Sequence, residues 1–153
     1  MAERFAMMDD AIARGTLKEP KLGFLNTYFW YANFYAEDKH KTGKVNFSLG
    51  AFWLGVFWYV HFGLIKEAFI LMMGISLLIG LLPPNLPKSL NYGFSIGVGY
   101  LFAAYFTGSR YAKYKLSGRL SPGGNIFLTI LVGGGIYILT IILATIVSGI
   151  IYR

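Results

Sequence analysis

The chain has no cysteine. Disulfides, thiolate metal sites and cysteine nucleophiles are therefore excluded. Charge is also scarce: 14% of the 153 residues are charged, against roughly a quarter in an ordinary soluble domain. Acids are the scarcest, seven against fourteen Lys and Arg, and Glu67 is the only acid beyond Asp38. Paired buried carboxylates for acid–base chemistry are thus missing from the apolar part of the chain. No P-loop, nucleophile elbow or zinc-binding helix motif occurs, so the sequence predicts no enzyme, no cofactor and no metal site. Residues 1–22 are polar and lack the apolar core of a secretory signal, so no cleaved leader is expected. The net charge of +7 raises a nucleic-acid reading, but no recognition motif or basic-aromatic strand pattern supports it. The basic surplus suits a cytoplasmic membrane face and its anionic lipid headgroups instead.

What the chain does have is apolar sequence: 56% of its residues are hydrophobic. They gather in four blocks, 47–65, 68–82, 90–107 and 126–152, separated by short polar joints. Nearly every face of each block is apolar, so the expected solvent is lipid. The sequence therefore predicts an all-α, multi-pass membrane protein, with a cytoplasmic amphipathic head over residues 1–44 and a helical membrane domain over 45–153.

In the head, residues 1–15 read as a short helix and 16–23 as a linker. Phe24, Tyr28, Tyr31 and Tyr35 then recur at four, three and four residues, one helical face. With Trp30 they suit the headgroup layer, where amphipathic rings settle. A helix packed on the rest of the head is the plainer alternative. His40 with Glu37 and Asp38 forms a charged joint, better read as solvated than as a metal site. Block one is unusual, because Trp53, Trp58 and five further rings crowd it. That density fits an interface better than a hydrocarbon centre. Lys66 and Glu67 follow, adjacent and pointing apart. They should sit at a water boundary, since burying both in hydrocarbon is costly.

Pro83-Pro84 ends block two. The segment 108–125 reads as a basic loop with Arg110, Lys113, Lys115 and Arg119 and no acid. If all four blocks cross, the head and this loop lie on opposite sides, against the positive-inside rule. If blocks two, three and four cross, both lie in the cytoplasm and the C-terminus lies outside. The preferred reading is three transmembrane helices plus an aromatic interfacial or re-entrant helix; four crossings is the alternative.

Phe47, Ala51, Phe52, Trp53, Gly55 and Trp58 resemble the signature of bacterial membrane proteins grouped as DUF2628. That signature reads roughly Phe-Asn-x-Ala-Ala-Phe-aromatic-aromatic-Gly-Pro-x-Trp, followed by Tyr-Arg-Lys. Ser48 stands here for the Asn, Val56 for the Pro and His61-Phe62 for the Arg-Lys. The resemblance covers the middle third of the chain. It implies a small multi-pass protein of the bacterial inner membrane and carries over no catalytic or binding residue.

Small residues suggest where helices meet. Gly93 and Gly97 form a small-xxx-small pair on block three, either for packing within the monomer or for another subunit. Gly133, Gly134 and Gly135 in block four read as a close crossing or as a hinge along a substrate path. The threonines of block four can bond their own backbone, and His61 is expected near the interface. The leading expectation is a non-enzymatic accessory or scaffold subunit that meets other membrane subunits or itself. A small oligomeric carrier or channel is the alternative.

Overall fold

The computed structural model describes residues 2–15, 48–120 and 122–153, and among them the only regular structure is helical. Six helices follow in order: α1 Ala2–Ala13, α2 Leu49–Leu54, α3 Val56–His61, α4 Ile65–Leu81, α5 Lys88–Ser117 and α6 Ile126–Ile151. The all-α class agrees with the sequence. The aromatic segment with Tyr28, Trp30, Tyr31 and Tyr35, and the joint around His40, lie outside the described residues.

Block one forms two helices of six residues each, α2 and α3. Ser48 starts α2, its hydroxyl accepting the Ala51 N–H at 3.3 Å. Gly55 ends it with φ +48° and ψ −121°, a backbone region that only glycine enters cheaply. The Gly55 N–H still reaches the Ala51 carbonyl at 2.9 Å. A second bend follows α3, where the N–H groups of Gly63 and Leu64 reach the carbonyls of Val60 and Tyr59 at 2.9 and 2.8 Å. The amides of both bends are thus paired inside the protein, as any dry surroundings require.

Contacts to α5 give the course of this hairpin. The Ser48 N–H meets the Ala103 carbonyl at 3.2 Å, and Phe52 lies against Gly99. After the turn at Gly55, the Tyr59 hydroxyl donates to the Phe102 carbonyl at 2.9 Å. Phe62 then lies under the Arg110 guanidinium, 4.0 Å from the ring centre, and the Lys113 ammonium donates to the Gly63 carbonyl. The chain therefore runs part-way along α5, reverses, and returns to the basic end. Its return helix forms the core. Tyr59 is fully buried among Val56, Val60, Leu64, Leu71 and Ile136, with its ring edge-on to Phe102 and Phe106 at 5.4 and 5.2 Å.

Helix α4 packs along α6. At the far end Gly80 lies against Val147 and Ala144, and the Tyr152 hydroxyl donates to the Leu81 carbonyl at 2.8 Å. At the near end the His61 carbonyl, just before α4, accepts the Gly124 N–H at 2.6 Å, just before α6. Starts pair with starts and ends with ends, so α4 and α6 run parallel and α5 runs against both.

Helix α5 continues ten residues into the segment 108–125 that the sequence reads as a loop. The reason is tertiary. Tyr111 is fully buried, and with Phe5, Met8 and Ala11 of α1 it forms a second cluster. Phe5 meets Tyr111 edge-on and stacks on Tyr114, both at 5.3 Å. Gly118 then closes α5 at φ +66°, the left-handed cap that glycine favours.

Asp9 locks this head in place. It accepts the Tyr111 hydroxyl at 2.7 Å and pairs with Lys115 at 2.5 Å. The Lys115 bond first, and then the Tyr111 bond, hold the Asp9 carboxyl below its ordinary 3.8. A depressed carboxyl stabilises the folded state above the unfolded value, and that contribution is lost as pH falls through the folded one. Acidification below pH 3.8 is therefore expected to speed hydrogen exchange in α1 relative to α4 and α6. Asp9 is half exposed, so the effect stays under about 1 kcal/mol. Equal protection of α1 in Asp9→Asn at neutral pH would contradict this role.

Candidate functional site

The three long helices do not stay together along their length. The C-terminal half of α5 is buried from Phe102 to Ala112, whereas most of its N-terminal half is exposed. Between that half of α5 and the α4–α6 pair opens a groove of about 1250 Å³, larger than the roughly 300–1,000 Å³ of most small-molecule sites. Ile75, Ile79, Phe94 and Val98 contribute apolar walls. The α2–α3 turn, with Trp53, Leu54 and Gly55, closes its inner end, and Leu82, Pro83 and Tyr152 stand at the outer end. Its polar side chains are hydroxyls and one amide: Ser95, Thr145, Ser148, Tyr137, Tyr152 and Asn91.

Several of these hydroxyls are already engaged. Ser95 donates to the Asn91 carbonyl at 3.0 Å, and Thr145 to the Ile141 carbonyl at 2.9 Å. Elsewhere Ser76 and Thr140 do the same with Met72 and Tyr137. The sequence leads one to expect this back-bonding for the threonines of block four, and the structure extends it to Ser76 and Ser95. It hides the hydroxyls' polarity from apolar surroundings. Among the described residues no charged side chain lines the groove. Among the described residues no cluster of three or more His, Asp or Glu side chains is placed to hold a metal ion. The groove is thus built to receive apolar matter.

The opposite end of the molecule is basic. Arg110 covers Phe62, Lys113 ties down Gly63 and Lys115 holds the head. Lys66 is exposed in the first turn of α4 at this same end. His61 is half-buried beside Trp58, with Nδ1 3.4 Å from the Thr129 hydroxyl. It joins the hairpin to the start of α6, a role the sequence does not display.

The residues singled out from sequence scatter over the molecule. Trp53 is 77% exposed at the hairpin turn, remote from the basic end. Trp58 is half-buried, edge-on to Phe62 at 5.0 Å. Gly93 and Gly97 face open space, with nothing within 4 Å of a Cβ at either. The glycine triplet leaves α6 unbroken. Of the three, Gly133 meets Phe57, whose ring would lie 2.6 Å from a Cβ, while Gly134 and Gly135 meet nothing. Helices α4 and α6 instead come together tightly at Gly80, a residue the sequence reading does not single out, where a Cβ would lie 2.7 Å from Val147. The sequence signals of Gly80 are the small-xxx-small pair it forms with Ser76 and its place one turn before Pro83-Pro84.

Of the three spans expected, one among the described residues is long and apolar enough to cross a membrane: α6, with 26 residues. Only 22% of its most apolar stretch is buried, unlike the core helix of a soluble protein. Helix α4, with 17 residues, is about 26 Å long at 1.5 Å per residue, short of a hydrocarbon core of about 30 Å. Helix α5 has the length, but its C-terminal half carries Arg110, Lys113 and Lys115. Comparison with protein-family models, with curated proteins and with solved structures finds no match to this chain.

Proposed function

We propose that the chain is a three-crossing protein of the bacterial inner membrane that acts as a non-enzymatic accessory or scaffold subunit. The resemblance to the DUF2628 proteins is part of this proposal. One observation carries it: the head, the basic helix end and the hairpin exit at Gly63 gather at one end of three helices that run up, down and up. That arrangement satisfies the positive-inside rule with the N-terminus and the basic end in the cytoplasm and the C-terminus outside. The α2–α3 hairpin becomes re-entrant, with the amides of Gly55, Gly63 and Leu64 at its bends paired to the protein's own carbonyls as lipid demands. Short α4 is extended by the hairpin bend behind it, with Lys66 reaching back to the cytoplasmic headgroups. Anionic lipid meets the basic end. The expected partners are other membrane subunits or a second copy, not nucleic acid.

Accessibility of a tag after Arg153 tests the topology. It should be reached only from outside the cell; labelling from the cytoplasm would sink the three-crossing reading. Gly97 supplies a second test. A Cβ there has nothing within 4 Å among the described residues, so Gly97→Leu should not lower thermal stability. The open face around Gly93 and Gly97 suits close helix approach by a subunit, so association seen in mild detergent should weaken. Unchanged association together with unchanged stability would remove this face from the scaffold role.

The carrier or channel reading has one feature in its favour, a groove bordered by hydroxyls from blocks three and four. Transport paths at membrane depth usually also carry charged side chains, and among the described residues none lines this groove.

A further inference from the structure

We infer that the groove between α5 and the α4–α6 pair is a binding site for an anionic phospholipid of the outer leaflet. This rests on the three-crossing reading for the leaflet, though not for the ligand. The first argument is depth. The groove runs along α6 from Tyr137 to Tyr152, about 22 Å at 1.5 Å per residue. Half a bilayer, headgroups included, is about 20–22 Å. At the inner end the α2–α3 turn blocks the way with Leu54 and Gly55. On α5, Phe52, three residues before the Gly55 turn, lies against Gly99, about 21 Å from Lys113 by the same rise, which again is near the midplane. A partner helix crossing the whole bilayer would run into this floor. An acyl chain entering from the outer face ends there.

The second argument is charge. Lys88 lies between Leu86 and Asn91, which both line the outer mouth, and Arg153 follows Tyr152, which lines it too. No acidic side chain occurs anywhere beyond Glu67. Lys88 and Arg153 are both exposed, and cations flanking the mouth above an apolar shaft are the complement of a lipid phosphate above its chains. Inside, Thr145 and Ser95 turn their hydroxyls to their own helices and leave the walls apolar to the chain.

The full-length protein, reconstituted in phosphatidylcholine nanodiscs containing phosphatidylglycerol with a photoreactive acyl chain, tests this. Crosslinks should map to Ile79, Phe94 and Thr145 in the groove rather than to Ile130 and Leu131 on the outer face of α6. Thr145→Trp should fill the shaft and abolish the groove crosslinks. Lys88→Gln, a surface change that leaves the fold intact, should lower them about fivefold, the loss of one lysine near the lipid surface. Crosslinks spread evenly over α6 and indifferent to Lys88→Gln would overturn the site, even if Thr145→Trp failed to fold. So would a photoreactive group placed at Ile79 that captures a second copy of the chain instead of lipid. Cytoplasmic exposure of the C-terminal tag, with groove crosslinks intact, would reverse the leaflet and defeat the topology but not the site.

Discussion

Gly80→Leu is expected to separate the two parallel helices that hold the bundle together. A Cβ at this position would lie 2.7 Å from the Val147 Cβ and 3.0 Å from the Ala144 carbonyl. Neither is the end of a flexible chain. The Ala144 carbonyl belongs to the backbone of α6, and Val147 is β-branched and stiff about χ1. The helices must therefore move apart, and the Tyr152–Leu81 bond at 2.8 Å is lost with them. Overpacking of this kind costs about 1–3 kcal/mol, and a fall in melting temperature in detergent of about 2–10 °C follows for a chain of this length. Gly134→Ala is the control, since nothing lies within 4 Å of its Cβ. It should be neutral or slightly stabilising, because alanine loses less entropy than glycine in a helix. Equal behaviour of the two variants would show that α4 and α6 do not meet at Gly80.

Gly55→Val acts through the backbone instead. At φ +48° and ψ −121° any side chain is strained, and a β-branched one most of all. Space is not the obstacle, for the nearest atom to a Cβ is Phe102 Cδ2 at 4.0 Å. The cost, about 1–3 kcal/mol, falls on the turn between α2 and α3. If the turn opens, α2 and α3 join into a straighter helix and Tyr59 leaves its place beside Phe102 and Phe106. A lower melting temperature and greater tryptophan accessibility to quencher, from Trp58, are the expected results. Gly55→Ala should retain more stability than Gly55→Val, since it lacks the branch. A fully stable valine variant with unchanged quenching would mean that the hairpin does not depend on this glycine.

Much of the fold could be read from the amino-acid order. The short N-terminal helix, the break at Pro83-Pro84 and the apolar length of the last block follow from local rules about proline and apolar runs, whereas the continuity of α6 through its glycine triplet does not. The chain's own chemistry also limited the site: without cysteine, and with Glu67 alone beyond Asp38, a groove in this half can offer little but apolar walls and hydroxyls. The end of α5 was misread because its basic residues resemble a loop when α1 is out of view. Tyr111 explains the difference, since its burial against Phe5 and Met8 is a contact between residues about a hundred positions apart. The glycines divide for the same reason. Gly133 and Gly80 touch other helices, whereas Gly93, Gly97, Gly134 and Gly135 do not, and nothing in the glycine itself distinguishes them.

By itself the sequence determined the helical class, the scarcity of reactive side chains and the apolar character of the block that becomes α6. Those properties are local or compositional, and each residue carries its share regardless of its neighbours in space. Only the tertiary structure decided that block one is a hairpin with a buried return helix, that α4 and α6 run parallel, and that α5 diverges to leave a groove. These depend on where helices approach one another. Tyr59 on the Phe102 carbonyl, Gly80 on Val147 and the turn at Gly55 settle them through shape and hydrogen bonding between distant segments, which apolar periodicity cannot encode when nearly every face is apolar.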